Sequence, residues 1–259
     1  MTQVRSILSV FAAAALLASA QAFAAGTIID MKGDVRVGNN PALPQQKIVS
    51  GSTITTGIGA QAILKLDDQQ QIVLNENTTF RIADFRYRAA EPRGDRAVFD
   101  ILRGALRFIT GVVGARNPAV VQVRFPQATI KIRGTDFMVA LVNPAYVNVI
   151  SGAVSATNAG GTVVFGQGSI GSIASASSLA VPISASALPA AAGSAFSNLA
   201  AAQVAAAVTP AAAGSAAAGA ATGAPAAPAA GVGAWVTIGV AAAVIATAVN
   251  EGGETTTRH

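Results

Sequence analysis

The chain has 259 residues, a formal net charge of +5, no cysteine and a single histidine. Without cysteine, no disulfide can stabilise the fold and no thiol can act as a nucleophile. The one histidine is His259, the last residue, and chain ends seldom provide the ordered setting that a general base needs. The composition therefore predicts a non-catalytic protein, and we expect no metal and no cofactor.

Residues 1–25 have the organisation of an export signal. Arg5 supplies a positive charge, residues 7–17 form an apolar stretch too short to span a bilayer comfortably, and Ala22-Phe23-Ala24 is an A-x-A cleavage site. The alternative is a membrane anchor that is never cut. The pattern favours removal of this segment, which would place the mature protein outside the cytoplasm.

Residues 26–182 are predicted to form one all-β domain. Apolar and polar residues alternate with a period of two in short runs, and Gly, Asn, Asp and Pro separate these runs at roughly eight to ten residues. The clearest runs are residues 35–37, 62–66, 80–82, 106–108 and 121–125. From Val120 onward the runs start so evenly that a solenoid-like or roll/sandwich arrangement is favoured over a closed barrel.

The stretch 125–139 is where two of these runs meet. Ile130 and Ile132 alternate with polar residues on one side, and Phe137 continues the alternation on the other, so Phe137 is expected to be buried. Gly134 lies where the chain must bend, because glycine reaches positive φ at little steric cost. The pattern predicts a turn between two strands, with Arg133 and Asp136 forming an ion pair at its mouth.

Three motifs in this order resemble the signature of FecR domains. They are S-G-S-T-I-T-T-G-I-G-A-Q-A-I-L-K-L at 50–66, L-R-G-A-L-R-F-I-T-G at 102–111 and I-R-G-T-D-F-M-V at 132–139. The resemblance covers residues 26–175. The residues that carry the structural motif are Gly104, Gly111, Arg133, Gly134, Thr135, Asp136 and Phe137.

The resemblance implies a binding domain in the periplasm or cell envelope of a Gram-negative bacterium. FecR proteins of the best-known type join a cytoplasmic anti-sigma segment and one membrane span to a periplasmic region, which receives a signal from an outer-membrane transducer. In this sequence an export signal stands where the anti-sigma segment would be. We therefore expect the domain to act through another protein, a glycan or the membrane rather than directly on a sigma factor.

The charge is concentrated between residues 81 and 133. This stretch holds eleven basic and four acidic residues, a net charge of +7, and residues 86–96 have the composition of an exposed loop. One interpretation is a solvated surface, and the other is a binding site for an anionic partner. The candidate partner-binding residues are Arg86, Arg88, Arg93, Arg96, Arg107, Arg124, Lys131 and Arg133.

The predicted partner of this surface is an envelope protein or an acidic glycan or lipid surface. The alternative function is a structural or polysaccharide-binding component of the envelope or cell surface. Nucleic acid is not expected, because the protein is predicted to be exported and its few aromatic residues do not alternate with the arginines. The adjacent Asp67 and Asp68 are expected to form an Asx-type turn rather than a metal site.

No Asp, Glu, Lys or Arg occurs from Phe137 to Asn250. Residues 183–230 are rich in Ala, Gly and Pro and are predicted to be a linker, with a short helix at 195–208 capped by Ser194. Residues 231–250 form an uncharged apolar run, which is either a membrane anchor or an alanine-rich helix outside the bilayer. Residues 251–259 are a polar tail.

Overall fold

A computed structural model describes residues 24–202 of the chain, and these residues form an all-β unit with two short helices. The predicted fold class is confirmed. The strands are β1 (Ala24–Lys32), β2 (Val35–Val37), β3 (Asn40–Pro41), β4 (Lys47–Val49), β5 (Thr53–Thr56), β6 (Gln61–Leu66), β7 (Gln71–Leu74), β8 (Thr79–Arg86), β9 (Arg96–Ile109), β10 (Val121–Phe125), β11 (Ala128–Leu141), β12 (Ala145–Asn158), β13 (Gly161–Gly166), β14 (Ile170–Ile173) and β15 (Val181–Ile183). The helices are α1 (Val112–Arg116) and α2 (Ala190–Ala201), and short 3-10 turns lie at Pro92–Gly94, Pro118–Val120 and Ala185–Ala187.

The strands belong to a single 15-stranded sheet that folds back on itself. Strand β10 pairs in parallel with β9 and antiparallel with β11, while β11 also pairs antiparallel with β9. Three strands that all pair with one another cannot lie in one flat layer. The sheet is therefore a roll with free edge strands, and the roll encloses the main hydrophobic core.

The roll has two halves, which share the long strands β9, β11 and β12. The covered half consists of β6, β7 and β14 with residues 104–109, 136–141 and 145–151 of the long strands. The exposed half consists of β8, β10 and β13 with residues 96–103, 128–133 and 153–158. Each long strand therefore contributes one end to each half.

Glycines at positive φ stand where the long strands pass from one half to the other. Gly104 in β9 has φ +88°, Gly134 in β11 has φ +58° and Gly152 in β12 has φ +75°. A Cβ atom built on Gly152 would overlap the carbonyl oxygen of Gly134, so these two backbones meet with no side chain between them. The bends of β11 and β12 therefore coincide.

The predicted turn between two strands at Gly134 is wrong, because β11 continues through it as one bent strand. The antiparallel pairing of β11 with β12 runs on both sides of the bend, with register shifts between Arg133 and Phe137. Hydrogen bonding to β12 is thus interrupted by a bulge and then resumes. The expected positive φ of Gly134 is confirmed.

A chain of phenylalanine rings fills the core of the roll. The ring centroids of Phe80 and Phe99 are 5.7 Å apart, those of Phe99 and Phe108 are 5.6 Å apart, and those of Phe108 and Phe137 are 5.2 Å apart. All four side chains are fully buried, which confirms the expected burial of Phe137. Phe80 and Phe99 lie in the exposed half, and Phe108 and Phe137 lie in the covered half. The contact between Phe99 and Phe108 therefore connects the two halves.

Helix α2 packs on the outer face of the covered half. Its Phe196 and Leu199 are buried in a second apolar cluster with Val73, Met138 and Tyr146. The residues of α2 thus belong to the folded unit, although their composition indicated a linker. The helix was expected at 195–208 with Ser194 as its cap, but it begins at Ala190 after Pro189, and Ser194 lies inside it. Small alanines let the helix approach the sheet closely, so two large side chains suffice to dock it.

Several predictions from the sequence lie outside the described residues. These are the export signal, the part of the expected helix beyond residue 202, the apolar run at 231–250 and the polar tail. Neither of the two helices within residues 24–202 is long and apolar enough to cross a membrane.

The contact between Gly134 and Gly152 generates a stability prediction. Gly152→Ala should lower the free energy of unfolding by about 3 kcal/mol or more, because it combines positive-φ strain with overlap against backbone. Gly38→Ala is the matched control, since Gly38 also has positive φ, +61°, but a Cβ there would meet nothing within 4 Å. The control should lose only about 1 kcal/mol in urea unfolding. Equal losses for the two variants would contradict the proposed packing of the bends.

Candidate partner-binding surface

The outer face of the exposed half carries most of the predicted partner-binding residues. In β10 and β11 the apolar side chains point into the core, so Arg124 and Lys131, which alternate with them, point to solvent. We use the term basic face for the outward, exposed side chains Arg81, Arg86, Arg96, Arg124, Lys131 and Arg133.

The strand register brings these residues together from four strands. Asp100 of β9 lies opposite both Arg81 of β8 and Arg124 of β10. Opposed residues on neighbouring strands have Cβ atoms about 5 Å apart, so Asp100 stands between the positions of two arginines. Arg124 donates from Nε to Oδ1 of Asp100 at 2.7 Å. In the next cross-strand row, Lys131 of β11 lies opposite Gln122 of β10.

A second carboxylate lies between the two arginines at the end of the β8–β9 hairpin. Arg86 is paired with Arg96 across the strands, and Asp84 is 3.2 Å from the Nε of Arg86 and 2.9 Å from that of Arg96. Like charges directly opposite each other repel, and the shared carboxylate offsets that repulsion. The pair can therefore remain close together at the surface.

The basic face keeps a net positive charge after these pairs are counted. Six basic side chains face two carboxylates, and within residues 24–202 no carboxylate lies at ion-pair distance from Arg81, Lys131 or Arg133. A surface of one sign raises the local concentration of oppositely charged partners and speeds their association. Lys131 and Arg133, both on β11, are the clearest unpaired cations on this face.

The predicted arginine-rich loop connects β8 to β9 and carries Arg88 and Arg93, both exposed. Arg88 pairs with Glu91 at 2.9 Å, and its backbone N–H donates to Asp95 Oδ1 at 2.9 Å. The guanidinium of Arg116 in α1 lies 5.9 Å from the centroid of the Tyr87 ring. The loop is therefore fixed at several points, and it continues the basic face beyond Arg86.

A groove of about 510 Å³ runs along the base of this loop. It is lined by Ala24, Ser50, Asp84, Phe85, Arg86, Tyr87, Arg88 and Gly94. The groove gives the loop end of the basic face a concave border, whereas strands form the rest of that face.

Arg107, the remaining candidate, lies on the covered half and not on the basic face. It forms a bidentate pair with Asp136, from Nε to Oδ1 at 2.9 Å and from Nη2 to Oδ2 at 2.6 Å. The side chains of Arg107 and Asp136 are only 14% and 11% exposed. The expectation that Asp136 pairs with Arg133 is wrong, because the bulge in β11 directs the two residues to different halves of the roll.

The other motif residues make structural contacts. Thr110 Oγ1 donates to the carbonyl oxygen of Thr135 at 2.7 Å and accepts from its N–H at 3.0 Å. A Cβ on Gly104 would overlap Thr78, and one on Gly111 would lie 2.6 Å from the backbone oxygen of Asp68. These residues therefore serve close packing of the backbone.

Asp68 is a buried carboxylate that joins the β6–β7 turn to α1. Its Oδ1 accepts from the N–H of Gln70 at 3.1 Å, as expected for an Asx-type turn, and its Oδ2 accepts from the N–H of Val113 at 3.1 Å. Burial raises the pKa of Asp68 to about 6, although these two hydrogen bonds lower it, and the charge of Asp95 raises it further. Within the described residues, no group of three or more His, Cys, Asp or Glu side chains could hold a metal ion.

The Arg107–Asp136 pair is expected to matter more for stability than an exposed pair. Arg107→Ala should lower the free energy of unfolding by about 3 kcal/mol, because it leaves the Asp136 carboxylate largely buried without its partner. Arg124→Ala is the matched control, since Arg124 also pairs with an aspartate but is 47% exposed, and it should lose less than about 1 kcal/mol. Similar losses in urea unfolding would show that Asp136 is well solvated.

Asp68 should make stability depend on pH. Its pKa is higher in the folded state than the ordinary value of 3.8, so its contribution is fully present below about pH 4 and is lost as pH rises through about 6. Between pH 4 and 7 the free energy of unfolding should fall by up to about 3 kcal/mol relative to that of Asp68→Asn. Parallel pH profiles for the two proteins would contradict the raised pKa.

Comparison with known proteins agrees with the sequence motifs. Two crystal structures of a candidate anti-sigma factor from Parabacteroides distasonis ATCC 8503 are each 16% identical to this chain, with a TM-score of 0.40. Each match covers 51% of this chain and 58% of the other, so this chain spans less than two thirds of that protein. No curated protein has a significant match in sequence. The FecR protein family model matches residues 52–155, a range that includes the whole basic face, so the predicted resemblance is confirmed.

Proposed function

We propose that this protein is a non-catalytic binding module of the cell envelope, and that its FecR domain binds an acidic partner protein through the basic face. The observation that carries the proposal is the strand register, which collects basic side chains from β8, β9, β10 and β11 on one exposed surface. The FecR match supports a regulatory role rather than a catalytic one.

The arrangement of the charges favours recognition over simple solubility. Asp84 and Asp100 hold three of the arginines in fixed positions, so these guanidinium groups lose less conformational freedom when a partner binds. Lys131 and Arg133 remain available for carboxylates of the partner. Guanidinium groups bind carboxylates through two parallel hydrogen bonds, which adds geometric selectivity to the charge attraction.

The choice of a protein partner follows from the shape of the surface. A six-stranded sheet face offers a broad contact area, and the loop groove adds one concave border. Complementary charge on such a face steers encounter and fixes orientation. An acidic polysaccharide, which would make the chain a structural component of the envelope, is the competing partner, and the experiment below separates the two.

The proposal predicts a salt-dependent interaction that two sets of substitutions weaken. The loop variant reverses Arg86, Arg88, Arg93 and Arg96 to glutamate, and the strand variant combines Lys131→Glu with Arg133→Glu. Each should slow association with an acidic envelope protein captured by the wild-type chain, by about tenfold or more at physiological salt. For the wild type, affinity should fall as the Debye length shrinks from about 8 Å at 0.15 M salt to about 3 Å at 1 M.

The matched control reverses the exposed Lys47 and Lys65, which lie on β4 and β6 outside the basic face. This control should bind like the wild type, and thermal unfolding should confirm that every variant is folded. Equal, salt-independent affinities for all proteins would refute a role for the basic face. Binding to purified acidic envelope polysaccharide, with no protein captured, would support the structural alternative.

A further inference from the structure

The outer edge of β13 is an unpaired strand edge. Within residues 24–202, β13 pairs only with β12, in an unbroken antiparallel register from Ala153 opposite Gly166 to Asn158 opposite Gly161. Its residues alternate as in a half-buried strand, with Phe165 buried and Val164 68% exposed. Gly166 and Gly168 border open space, since a Cβ on either would meet nothing within 4 Å.

This edge lacks three features that often protect a free strand, namely charge, proline and a β-bulge. The sequence G-T-V-V-F-G contains no charge and no proline, and its pairing with β12 shows no bulge. Natural edge strands usually carry such features, because exposed N–H and C=O groups recruit further strands. Leu179, which is 50% exposed, lies beside Gly161 and extends the apolar border of the edge.

We propose that a second copy of this chain pairs with this edge, with β13 antiparallel to β13 about a twofold axis at Val164. This register places Val164 opposite itself, Val163 opposite Phe165, and Thr162 opposite Gly166. Inward residues then face inward residues and outward ones face outward ones, as one continuous sheet requires. Any strand meets this condition about an axis at one of its residues, so the specific support is that β13 has an uncharged edge with no partner within residues 24–202. The resulting contact is isologous, as in a symmetric dimer.

Charge also favours a second copy over an acidic partner at this edge. No Asp, Glu, Lys or Arg occurs in β12, β13, β14 or β15, so two copies can approach without repulsion and an acidic segment gains no ion pair. The closest part of the basic face is on β11, which β12 separates from β13. The exposed Val164 side chains would form a cross-strand pair of β-branched residues, a favourable combination in sheets.

The chain has no cysteine, so single cysteines can test the register directly. In Val164→Cys the two thiols of a dimer would lie on directly opposed residues, within disulfide distance, and mild oxidation should give a covalent dimer. The matched control is Thr162→Cys, on the same face of the same strand. In the proposed register Thr162 lies opposite Gly166 of the other copy, so the two thiols are several residues apart and should not form a disulfide. Equal crosslinking of both variants of the full chain, or of neither, would overturn the proposal.

Sedimentation of the full chain provides the second measurement. The wild type should associate to a dimer, and Val164→Lys should weaken that association by about tenfold or more, because it places two like charges opposite each other. Ile58→Lys is the control, since Ile58 is 86% exposed on a loop far along the chain from β13. A monomeric wild type, or dimerisation that Val164→Lys leaves unchanged, would refute the β13 interface.

Discussion

The contact of two glycine backbones, Gly134 in β11 and Gly152 in β12, is the constraint on which the rest of the structure depends. It lets two adjacent long strands bend together and so contribute to both halves of the roll. Because neither residue has a side chain, the carbonyl of Gly134 can occupy the space that a Cβ on Gly152 would need. The bend also lets β11 pair with β10 before Gly134 and with β9 after it, so one strand contributes to both halves.

The bend also decides the role of each arginine. Arg107 and Arg124 both stand between apolar residues of a strand, and both pair with an aspartate. Arg107 lies on the covered half, where its pair with Asp136 is largely removed from water and acts in stability. Arg124 lies on the exposed half, where water screens its pair with Asp100 and leaves the side chain open to a partner. The location of the strand segment, rather than the residue type, separates the two roles.

The sequence predicted the strands well, because alternation of apolar and polar residues reports which side of a strand is buried. The bend at Gly134 was predicted as a turn because two runs of alternating apolar and polar residues look the same in sequence whether a turn or a bulge separates them. The partner of Asp136 lies 29 residues earlier in the chain, on a strand whose pairing no local pattern reveals. Helix α2 was placed wrongly because alanine carries little signal of burial, and only its contacts with Val73 and Met138 show its inner face.

The charged residues occupy only one part of the sequence, and in the folded protein they occupy only one part of the surface. All ionic residues within residues 24–202 precede Phe137, so the fold places them on β11 and on the elements and loops that come before it, while β12 to β15 are neutral. Because β12 lies between β11 and β13, the charged face and the neutral edge are neighbours on one half of the roll. A dimer formed through the edge would keep outward residues on one side and thereby join two basic faces into one surface. An acidic partner with two binding segments would then gain affinity from simultaneous contact, without any new interaction at either face.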